Sequence, residues 1–424
     1  MKLLKLITVS LFSITVLCSC DFEERVSWSP DGKRMAVLAD RLRLADNNDL
    51  SKPLLEPHFG QLLSLRWLPD NHHVLICYRR TKCALASSSS MASARKSDGK
   101  VGKAISVFTD YVQMFDFNGA VKDAKVTAGA VLYKSALPIV DLRLSPDGKL
   151  ASIAQADNGR HKISIVTLSG AVRVVAKNAS KSDWSRDSRS IYFFRDVSPK
   201  DSGYVTAIPI ATICRLPVAD VNGKLLAKSA RHDLGQCAGE LTGGGRLRVL
   251  SDESIMFCTT PVKLPSVGLD FGLAEKTLFR FKPASKDKDT KATIEQVNIE
   301  GPALANALDS FEPNADGTYI AVLGNRGAVN VILPTGKVTL LEKAIPDSAD
   351  ASLTGSFGFA PCWRNNHELC FTTRNIDKSK GHDGDIVLQD LSNETGDMTP
   401  RQILSKNWPD GQIDFLKIAK AKSK

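Results

Sequence analysis

The sequence predicts an all-β chain folded as a single β-propeller of about seven four-stranded blades, with six as the alternative count. Three observations predict it. A hairpin motif recurs seven times along the chain, most copies stand about 40 to 65 residues apart, and two further strands with alternating apolar residues follow several copies. At 424 residues and 43% apolar content there is material for a large core, which excludes both a disordered chain and a disulfide mini-fold. Two or three domains would be the ordinary expectation for this length, but the repeats merge them into one.

The first element is a leader. MKLLKLITVSLFSITVLCSC carries Lys2 and Lys5, then an apolar run from Leu6 to Leu17 that suits the core of a secretory signal and is too short to span a bilayer. Export is the expectation. The segment Leu17-Cys18-Ser19-Cys20 resembles a bacterial lipobox. That resemblance implies a signal peptide over residues 1–19, lipidation of Cys20 and a chain tied to a membrane by its acyl groups. Asp21 resembles the residue that retains lipoproteins in the inner membrane of enteric bacteria.

The repeats begin directly after it. VSWSPDGKRMAVL from Val26 returns as LRWLPDNHHVLI from Leu65 and LRLSPDGKLASI from Leu142. Weaker copies are SDWSRDSRSIYFF from Ser182, LRVLSDESIMF from Leu247, FEPNADGTYIAVL from Phe311 and FAPCWRNNHELCF from Phe359. In each, an apolar stretch enters a turn of Pro, Asp, Asn or Gly and a second one leaves it. Such residues fix φ, bond back to the backbone or accept positive φ, so each copy reads as a β-hairpin. The strands that complete the blades are KISIVTL and AVRVVAK after the third copy, and AVNVILP and KVTLLEK after the sixth. RLRLAD and KPLLE follow the first, and DIVLQDL and RQILS follow the seventh.

WSPDGKRMAVLAD and RLSPDGKLASIAQAD resemble the repeat of TolB-type propellers, also called WD-like repeats. These occur in periplasmic bacterial proteins and in the propeller domains of prolyl-oligopeptidase-type enzymes. The resemblance implies a propeller over residues 20–424. It assigns Asp31, Gly32, Asp147, Gly148, Asp316 and Gly317 to blade turns rather than to catalysis or calcium. TolB has an α/β domain before its propeller, and no such region precedes the first repeat here. The peptidases carry a G-x-S-x-G elbow, which this chain lacks.

Seven cysteines lie beyond Cys20. An exported chain can keep disulfides, and proximity suggests Cys362 with Cys370, Cys77 with Cys83, and Cys214 with Cys237, leaving Cys258 free. Spacing alone does not fix the pairing. There is no C-x-x-C, and the seven histidines do not gather near the cysteines, so no metal is expected. His72 and His73 are adjacent in a turn and should diverge. Gly243-Gly244-Gly245 lacks the Lys-Ser/Thr of a phosphate loop and reads as a turn.

Insertions should fall at the rims. The longest, about residues 81–103, is rich in Ser, Ala and Lys and is expected to be mobile; 416–424 is a basic tail. The net charge is +10, and removal of Lys2 and Lys5 with the leader lowers it to +8. Aromatic residues make up only 7% of the chain, which opposes a stacking surface for single-stranded nucleic acid. The functional expectation is therefore a lipid-anchored envelope protein facing the periplasm or exterior. Its propeller would bind an envelope protein or peptide without catalysis, cofactor or nucleic acid. The alternative is a carbohydrate-active enzyme or small-ligand binder that uses the axial funnel.

Overall fold

The computed structural model describes residues 26–38, 42–46, 61–84, 105–118, 125–157, 160–197, 210–238, 246–259, 277–283, 292–300, 310–323, 328–343, 361–372, 384–392 and 402–408. The leader with Cys20, the segment 52–56, residues 85–104, Gly243 to Gly245 and the tail 416–424 lie outside them.

The described residues form seven antiparallel sheets. The first has three strands, β1 (Val26–Trp28), β2 (Arg34–Leu38) and β3 (Leu42–Asp46). Six complete four-stranded blades follow. The second blade holds β4 (Gln61–Trp67), β5 (His73–Ala84), β6 (Ile105–Asn118) and β7 (Lys125–Ser135). The third holds β8 (Ile139–Leu144), β9 (Leu150–Asp157), β10 (Arg160–Thr167) and β11 (Val172–Lys177). The fourth holds β12 (Ala179–Trp184), β13 (Ser190–Val197), β14 (Ile210–Pro217) and β15 (His232–Ala238). The fifth holds β16 (Leu247–Val249), β17 (Ile255–Thr259), β18 (Thr277–Lys282) and β19 (Thr293–Gln296). The sixth holds β20 (Ser310–Pro313), β21 (Ile320–Leu323), β22 (Val329–Ile332) and β23 (Val338–Glu342). The last holds β24 (Cys362–Trp363), β25 (Glu368–Thr372), β26 (Gly384–Asp390) and β27 (Gln402–Trp408). Each of the seven repeated motifs became the first hairpin of a sheet, and each sheet pairs its strands in chain order. The long insertion starts later than its composition suggested, because β5 continues to Ala84.

A strand in the middle of a blade is apolar on both faces, and its two faces serve different neighbours. On β9, Ala151 and Ile153 pack toward the second blade, whereas Leu150 and Ala154 pack toward the fourth. Seven such apolar clusters fill the seven boundaries. The one that closes the ring joins Val26, Met35 and Val37 of the first sheet to Cys370, Ile386, Leu388 and Leu404 of the last. Each fully buried Val, Leu or Ile in these clusters contributes about 1.5–3 kcal/mol.

The hairpin turns close a second ring. In every turn an Asp or Asn side chain accepts the backbone N–H two residues on: Asp31 from Lys33, Asp70 from His72, Asp147 from Lys149, Asp187 from Arg189, Asp252 from Ser254, Asp316 from Thr318, and Asn365 from His367. Six turns then need a residue at positive φ, namely Gly32, Asn71, Gly148, Ser188, Glu253 and Gly317. Adjacent turns touch all the way round. The Asp31 N–H donates to Asn71 Oδ1 at 2.9 Å, Gly148 packs on Pro69, and the Asp147 N–H donates to Ser188 Oγ at 2.9 Å. The Arg186 N–H donates to Glu253 Oε1 at 2.7 Å, Ser251 N–H to the Ala315 carbonyl at 2.9 Å, and Asn314 Nδ2 to the Asn366 carbonyl at 3.0 Å. Arg364 Nε completes the circuit on the Gly32 carbonyl at 2.8 Å, 332 residues away in sequence.

This ring explains which turns carry glycine. Where the neighbouring backbone N–H needs an acceptor, the positive-φ residue has a side chain, as at Asn71, Ser188 and Glu253. Where the neighbour presses close, a Cβ would overlap Pro69 at Gly148 or Leu250 at Gly317. Gly32→Ala should therefore cost about 1–2 kcal/mol, the left-handed backbone penalty alone. Gly148→Ala should cost about 1–3 kcal/mol more, because overlap adds to that penalty. Urea unfolding of the two variants checks the order, and equal losses would remove the steric explanation.

Candidate functional site

The first strand of each sheet lies innermost, and one residue per sheet occupies the same place on it. Counting two residues back from the hairpin-closing position gives Ser27, Arg66, Arg143, Asp183, Arg248, Glu312 and Cys362. Of these, Arg66, Arg143, Arg248 and Glu312 lie near enough to interact across the axis. Arg66 interacts electrostatically with Arg143 and Asp141 of the next blade and with Arg248 and Glu312 of more distant ones. Arg246, Asp141 and Lys181 lie on the same inner strands or at their ends and add to the cluster.

Most polar links in this cluster run between blades. The indole of Trp67 donates to the Ser27 carbonyl at 3.1 Å, that of Trp184 to Arg143 at 3.3 Å and that of Trp363 to Glu312 at 2.8 Å. Trp28 stands beside the Cys362 sulfur at the closing boundary. Arg66 Nε donates to the Leu142 carbonyl at 3.1 Å, and Asp183 Oδ2 accepts the Val249 N–H at 2.8 Å. Between the fifth and sixth blades, Glu312 takes Arg248 Nη2 and Arg246 Nη1 at 2.7 Å each.

The electrostatics follow from this geometry. Burial alone would raise Glu312, but the charge and hydrogen bonds of Arg248 and then the charge of Arg246 outweigh it and hold its carboxyl at about 2. Burial also opposes ionisation of Asp141, and Arg143, Lys181, Arg248 and Arg66 bring it below its usual value. Arg66 moves the other way for a cation: burial first, then repulsion from Arg143, pulls it down to about 9. The axis is a mixed-charge ring in which both shifted carboxyls are kept ionised.

Apart from Cys362, none of the axial residues stood out in the sequence, because the equivalent first-strand positions are about 40 or more residues apart along the chain. A signal was nevertheless present. Aligning the seven motifs on their turns gives a column that reads Ser, Arg, Arg, Asp, Arg, Glu, Cys, five charged residues in succession beside a column in which Trp recurs.

The expected turn residues are where their motifs implied. Asp31 also accepts the Ser29 hydroxyl at 2.6 Å and Asp147 the Ser145 hydroxyl at 2.7 Å, while Asp316 accepts Thr318 Oγ1 at 2.6 Å. Two expected cysteine pairings meet an obstacle in the strand geometry. Cys77 and Cys83 lie six residues apart on the single strand β5, about 20 Å at about 3.3 Å per residue, whereas a disulfide spans less than about 7 Å between Cα atoms. Cys237 is opposite Ala211, and Cys214 is opposite Asp233, so the second pair is staggered by three residues. Cys362 and Cys370, by contrast, are direct cross-strand partners, and both are thiols in this structure. The hydrogen bond from Cys370, followed by burial, pushes the Cys362 thiol well up. Cys258 is a buried thiol on β17. His73 Nδ1 lies 2.6 Å from Asp70 Oδ2, and no metal-binding group of three or more His, Cys, Asp or Glu occurs among the described residues.

Fold and axis together define a β-propeller with a charged centre. No protein-family model matches the chain, and no curated protein matches it. Among solved structures, prolyl oligopeptidase B from Galerina marginata is similar over 91% of this chain and 52% of its own, with 10% identity and a TM-score of 0.50. The tricorn protease is similar over 92% of this chain and 34% of its own, with 13% identity and a TM-score of 0.48. For TolB from Acinetobacter baumannii the shares are 90% and 79%, with 15% identity and a TM-score of 0.38. The chain thus spans about a third of the tricorn chain and about half of the oligopeptidase. At these identities the likeness is one of fold alone.

Glu312→Gln tests the axial ring. A carboxyl held at about 2, against its usual 4.5, contributes stability above pH 4.5 that is lost as the pH falls toward 2. At neutral pH the substitution should cost about 3 kcal/mol, since it leaves two buried arginines short of a carboxylate. The difference between parent and variant should shrink below pH 4.5 in urea midpoints taken across pH. A difference independent of pH would contradict the assignment.

Proposed function

We propose that the chain is a non-enzymatic docking propeller of the bacterial cell envelope, lipid-anchored through Cys20 and presenting its rim or face to an envelope protein or peptide. The observation that carries this reading is the use made of polar side chains. Turn residues and axial residues alike are committed to neighbouring blades, which gives a stiff disc whose connections supply specificity. A lipid at Cys20 would confine that disc to a surface and raise its effective concentration near membrane partners. The likeness to the oligopeptidase propeller is one of fold alone and brings no hydrolytic chemistry with it.

The second reading is a small-ligand or carbohydrate site at the axis, favoured by the convergence of Arg66, Arg143, Arg248, Asp141 and Glu312. Hydrolysis of a glycoside would need one carboxyl raised to act as an acid. Asp141 and Glu312 are both lowered, which supports binding over catalysis.

Two measurements test the docking reading. Crosslinking in the native host, followed by capture from solubilised envelopes, should recover a discrete partner, and recovery of background alone would count against it. In cells fed a labelled fatty acid, the chain should carry label that Cys20→Ala abolishes along with membrane retention. A labelled Cys20→Ala chain would exclude that anchor.

A further inference from the structure

The shortest strand among the described residues, β24, lies at the seam where the last blade meets the first. It holds only Cys362 and Trp363, yet both reach toward neighbouring blades. The Trp363 indole donates to the Glu312 carbonyl of the sixth blade at 2.8 Å, and Cys362 lies beside Trp28 of the first. A strand of two residues forms few ladder hydrogen bonds, so β24 depends on β25 for its place. Register sets Cys362 directly opposite Cys370 there, and the two thiols are hydrogen-bonded to each other. Direct cross-strand partners stand about 4.5–5.5 Å apart at Cα, inside the range of about 4.4–6.8 Å that a disulfide spans. Their surroundings differ. Cys370 is 1% exposed within the apolar cluster that closes the ring, whereas Cys362 packs against that cluster and is partly exposed. One sulfur can meet a reagent from solution, and the other lies directly behind it. Cys77, Cys214 and Cys258 are also buried thiols, but they stand opposite Val112, Phe193 and Leu278.

We propose that Cys362 and Cys370 form a reversible disulfide that locks the seam, so that closure of the ring responds to thiol oxidation. The oxidant is a small-molecule disulfide. Cys362 loses its proton, attacks one sulfur of that molecule and displaces the other as a thiol, which leaves a mixed disulfide on the chain. Cys370 then loses its proton and attacks the Cys362 sulfur, which expels the second small thiol and forms the Sγ–Sγ bond. Two electrons pass from the chain to the external disulfide, and the two small thiols take up the two protons. Excess small thiol drives the same steps backward. The link replaces a hydrogen bond between thiols with a covalent bond and ties β24 to β25 independently of the ladder. Trp363 is then held against the sixth blade and Cys362 against Trp28 of the first, so the last blade keeps both neighbours. The lock needs only the register of β24 and β25, so it stands or falls apart from the docking reading.

For the test, the purified full chain is reduced, treated with glutathione disulfide, alkylated and cut with trypsin. Cleavage after Arg364 parts the two cysteines, so their link appears as two joined peptides that dithiothreitol separates. Cys362 with Cys370 should be the linked pair. Native-state amide exchange in β2 and β25 should be about tenfold slower in the oxidised chain than in the reduced one, and dithiothreitol should restore the faster rate. Cys362→Ser, at the partly exposed position, should exchange at one rate under both treatments. Absence of a Cys362–Cys370 link after oxidation would overturn the proposal. So would a link that leaves exchange in the unaltered chain unchanged, since the pair would then be joined without locking the seam. Both of these readouts use the unaltered chain, so they hold even if Cys362→Ser fails to fold.

Discussion

Closure of the ring is the constraint on which everything else rests. Each inner β-hairpin is apolar on two faces, so each blade needs a neighbour on both sides, and the first blade can find its second neighbour only in the last. No strand among the described residues is exchanged between those two blades. The seam is held instead by the apolar cluster of Val26, Met35, Val37, Cys370, Ile386, Leu388 and Leu404, and by Arg364 on the Gly32 carbonyl. The indole of Trp28 lies in the same place, with the Arg364 guanidinium 5.1 Å from its ring centroid and the Cys362 sulfur beside it. The directly opposed thiols of Cys362 and Cys370 are thus part of the seam, where a covalent link would brace the last blade.

Two concentric polar rings reinforce the apolar one. The outer ring is made by turns and the inner by the first strands, and both run from blade to blade. Backbone groups dominate the outer ring because turn N–H groups point along the rim. Tryptophan and arginine dominate the inner ring because only long side chains cross the space between neighbouring first strands. Such links are each worth about 1 kcal/mol, yet an unmade one inside the disc would cost more than a made one contributes. Their collective effect is to hold each blade at one orientation.

Much of the fold was legible in the sequence because hairpin turns are local. Asp31, Asp147 and Asp316 cap the N–H two residues on, and a glycine follows where the backbone turns left-handed, all within six residues. The weaker motifs looked degenerate because Ser188 and Glu253 replace glycine. In three dimensions those residues accept hydrogen bonds from the preceding turn, so their departure from the pattern is itself a contact. The axial site was not legible in the same way, since Arg66, Arg143, Arg248 and Glu312 meet only after closure. Nearness in sequence misled for Cys77 and Cys83, which lie along one strand, but served for Cys362 and Cys370, which flank a hairpin turn and are brought opposite each other by cross-strand register.

A closed disc should unfold as a unit, and native-state hydrogen exchange reads this directly. Val37 lies fully buried in the seam, and Val37→Ala there should lower amide protection in β9, β13 and β17, far from the substitution, by the same free energy as in β2 and β25. Loss of protection confined to the first and last blades, with the middle blades unchanged, would show that the blades stand without closure and would contradict the account.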